Sequence, residues 1–71
     1  MDIKIAVGQR IKELRRIRDI TQEQLAYISE LDRTYINSVE NGKRNISIVN
    51  LEKISKALKV QLNDFFDTQD F

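Results

Sequence analysis

Two helix starts stand eleven residues apart in the middle of this 71-residue chain, and they leave little freedom for what lies between them. Thr21 followed by Gln24 forms a capping box: the Thr hydroxyl takes the amide of Gln24, and the Gln side chain reaches back to the amide of Thr21. Ile20 and Leu25 occupy the positions of a hydrophobic staple, which fixes how the chain enters that helix. The arrangement recurs at Asp32, with Leu31 before it and Ile36 after it as a second staple. Only about two turns of helix and a bend of about three residues, Ser29-Glu30-Leu31, fit between the two starts. Ala26 is small where the two helices meet; a larger side chain there would push them apart.

Composition narrows the rest. A chain of this length makes one domain, residues 1–71, with a small core. Its 41% hydrophobic and 32% charged residues suit a folded protein rather than a disordered one. No run approaches the length of a membrane span, and no basic-then-apolar segment opens the chain, so a cytoplasmic protein without membrane contact is expected. Cysteine and histidine are both missing. Most nucleophilic and metal-assisted chemistry thereby loses its usual side chains, and the expectation is no enzyme, no metal and no cofactor.

Net charge is only +1, but it is unevenly spread. Over residues 4–18, Lys4, Arg10, Lys12, Arg15, Arg16 and Arg18 face the single acid Glu13, whereas Asp64, Asp67 and Asp70 stand without a base beyond residue 60. One end suits phosphate and the other repels it. A basic helix is equally what a solvated face looks like, so charge by itself does not decide.

In chain order, residues 2–18 are expected to form a first helix with Asp2 as cap and Ile3, Val7, Ile11 and Leu14 as its apolar stripe. Gly8 weakens that helix by about 1 kcal/mol relative to Ala, which suggests that a neighbouring helix comes close there. Ile17 lies to the side of the stripe and is expected to be partly exposed. Asp19 must turn the chain in the left-handed conformation, and Glu30 at the bend faces the same demand, at about 1 kcal/mol. The second helix, about 22–29, buries Leu25, Ala26 and at least part of Ile28. The third, about 33–41, turns Ile36 and Val39 inward, has Tyr35 at the edge and ends at Gly42. Ser47 caps a fourth, about 48–58, striped by Ile48, Leu51, Ile54 and Leu58 with Ala57 beside it. A short fifth, about 62–67, contributes Leu62, Phe65 and Phe66, and residues 67–71 form a loose tail. With no strand signal, stubby helices and short connections, the fold class is all-α: a compact five-helix orthogonal bundle.

The wording TQEQLA followed by LDRTYINSVENGKRN resembles the helix-turn-helix domains of the lambda-repressor-like, or Cro/XRE, family, over roughly residues 5–66. LDRTYI and ENGKRN are especially similar to the small controller proteins of bacterial restriction–modification genes. The resemblance implies a helix-turn-helix at about 21–41 whose second helix enters a DNA major groove. The chain departs from the family pattern at Asp19 and Glu30, where Gly or Asn is usual, and at Ile46, where Pro is frequent.

Base readout then falls to Arg33, Thr34, Asn37 and Ser38. Arg33 has the fork that suits guanine O6 and N7, Thr34 can touch a thymine methyl or a phosphate, and Asn37 can pair with adenine through two bonds. A merely solvated face would more often carry Glu and Lys than this run of Asn and Ser. Phosphate contacts are assigned to Gln22 at the first turn of the second helix, to Lys43, Arg44 and Asn45 in the loop, and to the hydroxyl of Tyr35, which suits an edge-of-core tyrosine equally well. The resemblance further implies that Arg15 and Glu40 form a partly buried ion pair, which removes Arg15 from phosphate binding.

The partners expected are double-stranded DNA with a two-fold operator and a second copy of the chain; no small-molecule ligand is expected. One small domain reads only a few base pairs, so a homodimer is implied, its surface formed by Val60, Leu62, Phe65 and Phe66 away from the DNA face. The two phenylalanines are equally readable as core. The leading function is a transcription regulator, either activator or repressor; the rival is an antitoxin or protein-interaction module on the same scaffold, against which the short tail speaks.

Overall fold

The computed structural model describes residues 2–71. Among these residues there are five helices: α1 (Ile3–Arg18), α2 (Gln22–Ser29), α3 (Arg33–Glu40), α4 (Ile48–Ala57) and α5 (Leu62–Phe65). α3 packs on α1 and α2, α4 packs on α2, and α5 packs on α4. No described helix is long and apolar enough to cross a membrane.

Local chemistry sets the helix starts. The Asp2 side chain accepts from the amide of Lys4 at 2.9 Å. The Thr21–Gln24 capping box closes in both directions, at 3.1 and 2.9 Å. Ser47 accepts from the amide of Asn50 at 3.1 Å. Asp32 differs from expectation: it stands at the N-cap position of α3 with extended backbone but makes no side-chain cap bond. The start of α3 is fixed instead by its staple, Leu31 lying half-buried against the core that contains Ile36.

The turns carry the expected strain. Asp19 and Glu30 both adopt left-handed backbone, with φ of 56° and 60°. Their amides close the helix ends onto the last-turn carbonyls of α1 and α2. Lys59, after α4, does the same at φ 60°, which the sequence reading does not anticipate.

Twelve apolar side chains form one core: Val7, Ile11, Leu14, Leu25, Ala26, Ile36, Val39, Leu51, Ile54, Ala57, Leu58 and Phe65. Two stripes are shorter than their periodicity suggests. Ile3 is 54% exposed and Ile48 is 76% exposed, each in the first turn of its helix, where the stripe leaves the core. Ile28 is exposed as well, while Ser29 takes the buried position beside it and donates its hydroxyl hydrogen to the carbonyl of Leu25 at 2.7 Å. Ile17 is exposed, as expected. The tail folds back rather than trailing away: the Phe71 ring meets Phe66 edge-on at 4.9 Å between centroids, and Phe66 meets Phe65 in the same way at 5.0 Å.

Gly8 is the point of closest approach. A Cβ built there would lie 2.5 Å from the carbonyl oxygen of Val39 and 2.6 Å from that of Glu40. Both are backbone atoms near the end of α3, so nothing flexible can yield. Alanine gains about 1 kcal/mol of helix propensity at such a site, but overpacking of this kind costs about 1–3 kcal/mol and sometimes more. Gly8→Ala is therefore expected to lower the urea midpoint despite its better helix propensity; a variant as stable as the parent would contradict the close contact.

Candidate nucleic-acid interface

The outer face of α3 follows from its inner one. Ile36 and Val39 are buried, which leaves Arg33, Thr34 and Asn37 exposed and Ser38 half-buried on the other side. Gln22, at the first turn of α2, joins Arg33, Thr34 and Asn37 around one shallow hollow. Four of the side chains assigned from sequence thus lie together on one surface.

Behind that surface is a buried ion pair. Glu40 is 3% exposed, and Arg15 of α1 grips it with two bonds: Nε donates to Oε2 at 2.7 Å and Nη2 to Oε1 at 2.9 Å. The remaining Arg15 nitrogen donates to the carbonyl of Ile20 at 3.0 Å, so one guanidinium ties α1 to α3 and to the entrance of α2. The hydrogen bonds and charge of Glu40 hold the Arg15 pKa above its ordinary value, against the opposing effect of burial. Gln22 completes the group, its Nε2 donating to Glu40 Oε1 at 3.2 Å and to Asn37 Oδ1 at 3.3 Å. The side chain of Gln22, which the sequence reading assigns to phosphate, thus has its Nε2 turned toward α3.

The other assigned residues are placed as follows. Arg33 reaches across to Glu23 of α2 at 3.3 Å, with both side chains largely exposed. Such a surface pair contributes at most about 1 kcal/mol, so a better anion or base edge can displace it. Tyr35 is half-buried and supports both of its readings: its ring packs on the core, and its oxygen accepts from Asn50 Nδ2 at 3.1 Å, which leaves the hydroxyl hydrogen for another acceptor. The Arg44 guanidinium lies 5.2 Å from the Tyr35 ring centroid, within cation–π range. Lys43 and Asn45 are exposed on either side of it. Asn50 has no part in the sequence reading, although its place one turn into α4 after a Ser cap gives it a polar edge position.

The basic first helix is not a phosphate surface as a whole. Arg10 donates to the carbonyls of Phe65 and Asp64 at 2.7 and 2.8 Å and pairs with Glu13. Arg18 donates to the carbonyls of Leu58 and Lys59 at 3.0 and 3.3 Å. With Arg15 engaged by Glu40, half of the six bases are committed to holding helix ends. A cation at a helix C-terminus is a favourable use of charge, but it removes that charge from a ligand.

At the C-terminal end, Phe65 is fully buried and corrects the expectation that it forms part of a dimer surface. Its ring is part of the core, where a fully buried aromatic contributes about 1.5–3 kcal/mol. Val60 and Leu62 are half-buried and Phe66 is 36% exposed. Phe66 shares an apolar groove with Ile3, Ile46 and Leu51.

A helix-turn-helix held by a buried Arg–Glu pair, with a polar outer face on its second helix, is the class of domain that these features define. The family model described as helix-turn-helix matches residues 11–65. Control protein C.MunI of a Mycoplasma species is 53% identical over 66 residues, covering 92% of this chain and 89% of that protein. Among solved structures, the restriction–modification controller protein C.AhdI from Aeromonas hydrophila superposes with a TM-score of 0.88 at 41% identity, over 93% of this chain and all of that one. The C.Esp1396I controller, solved as a tetramer on its natural 35-base-pair operator, superposes with a TM-score of 0.88 at 43% identity, over 94% of this chain and 88% of that one. The chain belongs to the Cro/XRE-type helix-turn-helix family, in which its relatives include restriction–modification controller proteins.

Removing one partner of a buried ion pair strands the other, at about 3–5 kcal/mol, whereas exchanging both for apolar side chains is often close to neutral. Arg15→Met and Glu40→Leu are each expected to destabilise by about 3 kcal/mol, and the double variant to recover most of that loss. Additive losses in a denaturation cycle would contradict the coupling.

Proposed function

We propose that this protein is a sequence-specific DNA-binding transcription regulator of the restriction–modification controller type, acting in the cytoplasm as a homodimer on a two-fold operator. The observation that carries the reading is the gathering of Arg33, Thr34 and Asn37 on the uncovered face of α3, braced from behind by the Arg15–Glu40 pair. Arg33 and Thr34 stand at the start of α3, where a recognition helix meets base edges, with Asn37 and Ser38 one turn later. Lys43, Arg44 and Asn45, with the Tyr35 hydroxyl, serve the phosphates beside it. The similarity to controllers solved on operator DNA supports the same use of this face.

One copy reads too few base pairs to select a site against a genome, and two recognition helices on a two-fold axis must stand about 34–36 Å apart. The dimer surface therefore lies away from Gln22, Arg33–Ser38 and Lys43–Asn45. Leu62 and Phe66 remain its proposed centre, with Val60 at its edge and Phe65 supporting it from the core. Acidic Asp64 and Asp67 beside it are poorly suited to phosphate.

Arg33→Ala is expected to cost about 1–3 kcal/mol on the preferred duplex and to relax preference at one base pair per half-site. Arg44→Ala is expected to weaken all sequences alike and to flatten the log–log salt slope by about one. Equal losses on specific and random duplex for Arg33→Ala would rule out α3 as the reading helix. Leu62→Asp is expected to give a folded monomer with weak operator binding; sedimentation that shows the parent protein already monomeric at tens of micromolar would refute the dimer.

A further inference from the structure

The amides of Gln22 and Asn37 hang from the buried ion pair in a forced order, and that order decides which hydrogen-bonding groups are left for a base. The Glu40 carboxylate can only accept, and both of its oxygens already take bonds from Arg15. Gln22 must therefore turn its NH2 toward it, since its own carbonyl oxygen there would set acceptor against acceptor. An NH2 group has two hydrogens. One goes to Glu40 Oε1 at 3.2 Å, and the other to Asn37 Oδ1 at 3.3 Å. With its oxygen turned to Gln22, Asn37 turns its own NH2 the other way, on the exposed side of α3.

We infer that Asn37 reads its base pair as a hydrogen-bond donor, selecting an acceptor edge such as guanine O6 and N7 or thymine O4, and that Gln22 sets this polarity. The inference rests on the reading of α3 as the recognition helix. It replaces the pairing with adenine expected for a free asparagine. That pairing needs Oδ1 to accept from adenine N6 while Nδ2 donates to N7, and here Oδ1 is already engaged. In the same geometry the Gln22 Nε2 is engaged by both neighbours, so its side chain positions Asn37. Specificity at this base pair is thus decided three residues away from the contact: Arg15 orients Glu40, Glu40 orients Gln22, and Gln22 orients Asn37.

The test is site selection from random duplex with the parent protein, Asn37→Ala, Gln22→Met and Asn37→Asp, each checked for folding by its urea midpoint. The base pair read by Asn37 is the one whose preference disappears in Asn37→Ala. There the parent is expected to favour guanine or thymine over adenine by about tenfold, in the range of a good directional contact. Gln22→Met frees the Asn37 amide to rotate, and adenine is expected to rise to within about threefold of the favoured base. Asn37→Asp keeps the size and the bond from Gln22 but presents an acceptor outward, so selection is expected to move to a base that offers a donor, cytosine or adenine. This variant decides the matter if Gln22→Met does not fold. A parent preference for adenine at that pair, or a preference unchanged in Gln22→Met or Asn37→Asp, would overturn the inference alone. A parent protein that selects no sequence would overturn the proposed function and this inference together.

Discussion

The Arg15–Glu40 pair is the interaction on which the geometry of the reading face depends. Glu40 lies at the end of α3 and Arg15 near the end of α1, and the same guanidinium also holds the carbonyl of Ile20 at the entrance to α2. All three helices of the motif therefore meet at one charge. Gly8 makes this possible, because α1 can approach the end of α3 only where no Cβ intervenes. A buried ion pair adds little net stability over a well-packed apolar pair. Its consequence here is directional: a carboxylate that only accepts fixes the orientation of the amide next to it, and through that amide the polarity of the surface.

The distribution of charge follows the same logic. A net charge of +1 looks unpromising for a polyanion, and the basic first helix looks like its compensation. In the folded chain Arg10, Arg15 and Arg18 instead secure α5, α3 and the end of α4. The cations left for a ligand near α3 are Arg33, Lys43 and Arg44, which stand at its two ends. Arg33 is held meanwhile by Glu23 in a weak surface pair, and Arg44 by the face of Tyr35. Three charges at the ends of a polar helix favour discrimination between sequences over bulk attraction to phosphate, because the non-specific term grows with the number of phosphates neutralised.

Much of this was legible in the sequence where the controlling physics is local. Capping boxes and staples act within four residues, so the starts of α2 and α4 and the bend at Glu30 follow from the string of residues alone. Gly8 could be read as a close approach because glycine in mid-helix has a known cost. What could not be read depends on how far neighbouring helices extend. Ile3 and Ile48 continue their stripes by period but stand exposed in the first turns of their helices, and Phe71 finds Phe66 only once the tail turns back. The carbonyls that Arg10 and Arg18 hold lie at least forty residues away in sequence. The bonds that Gln22 makes to Glu40 and Asn37 could not be read either, since a glutamine at a helix start carries no local sign that a buried carboxylate waits behind it.

The most direct measurement of the central claim is an amide NMR titration of the full chain with a duplex obtained by site selection. The account predicts that the largest shifts fall on Gln22, Arg33, Thr34, Asn37, Ser38 and Lys43–Asn45. It predicts little change at Ile17, Tyr27 and Ile28 on the exposed surface of α1 and α2. Shifts centred on the basic residues of α1, with α3 unaffected by the duplex, would contradict it.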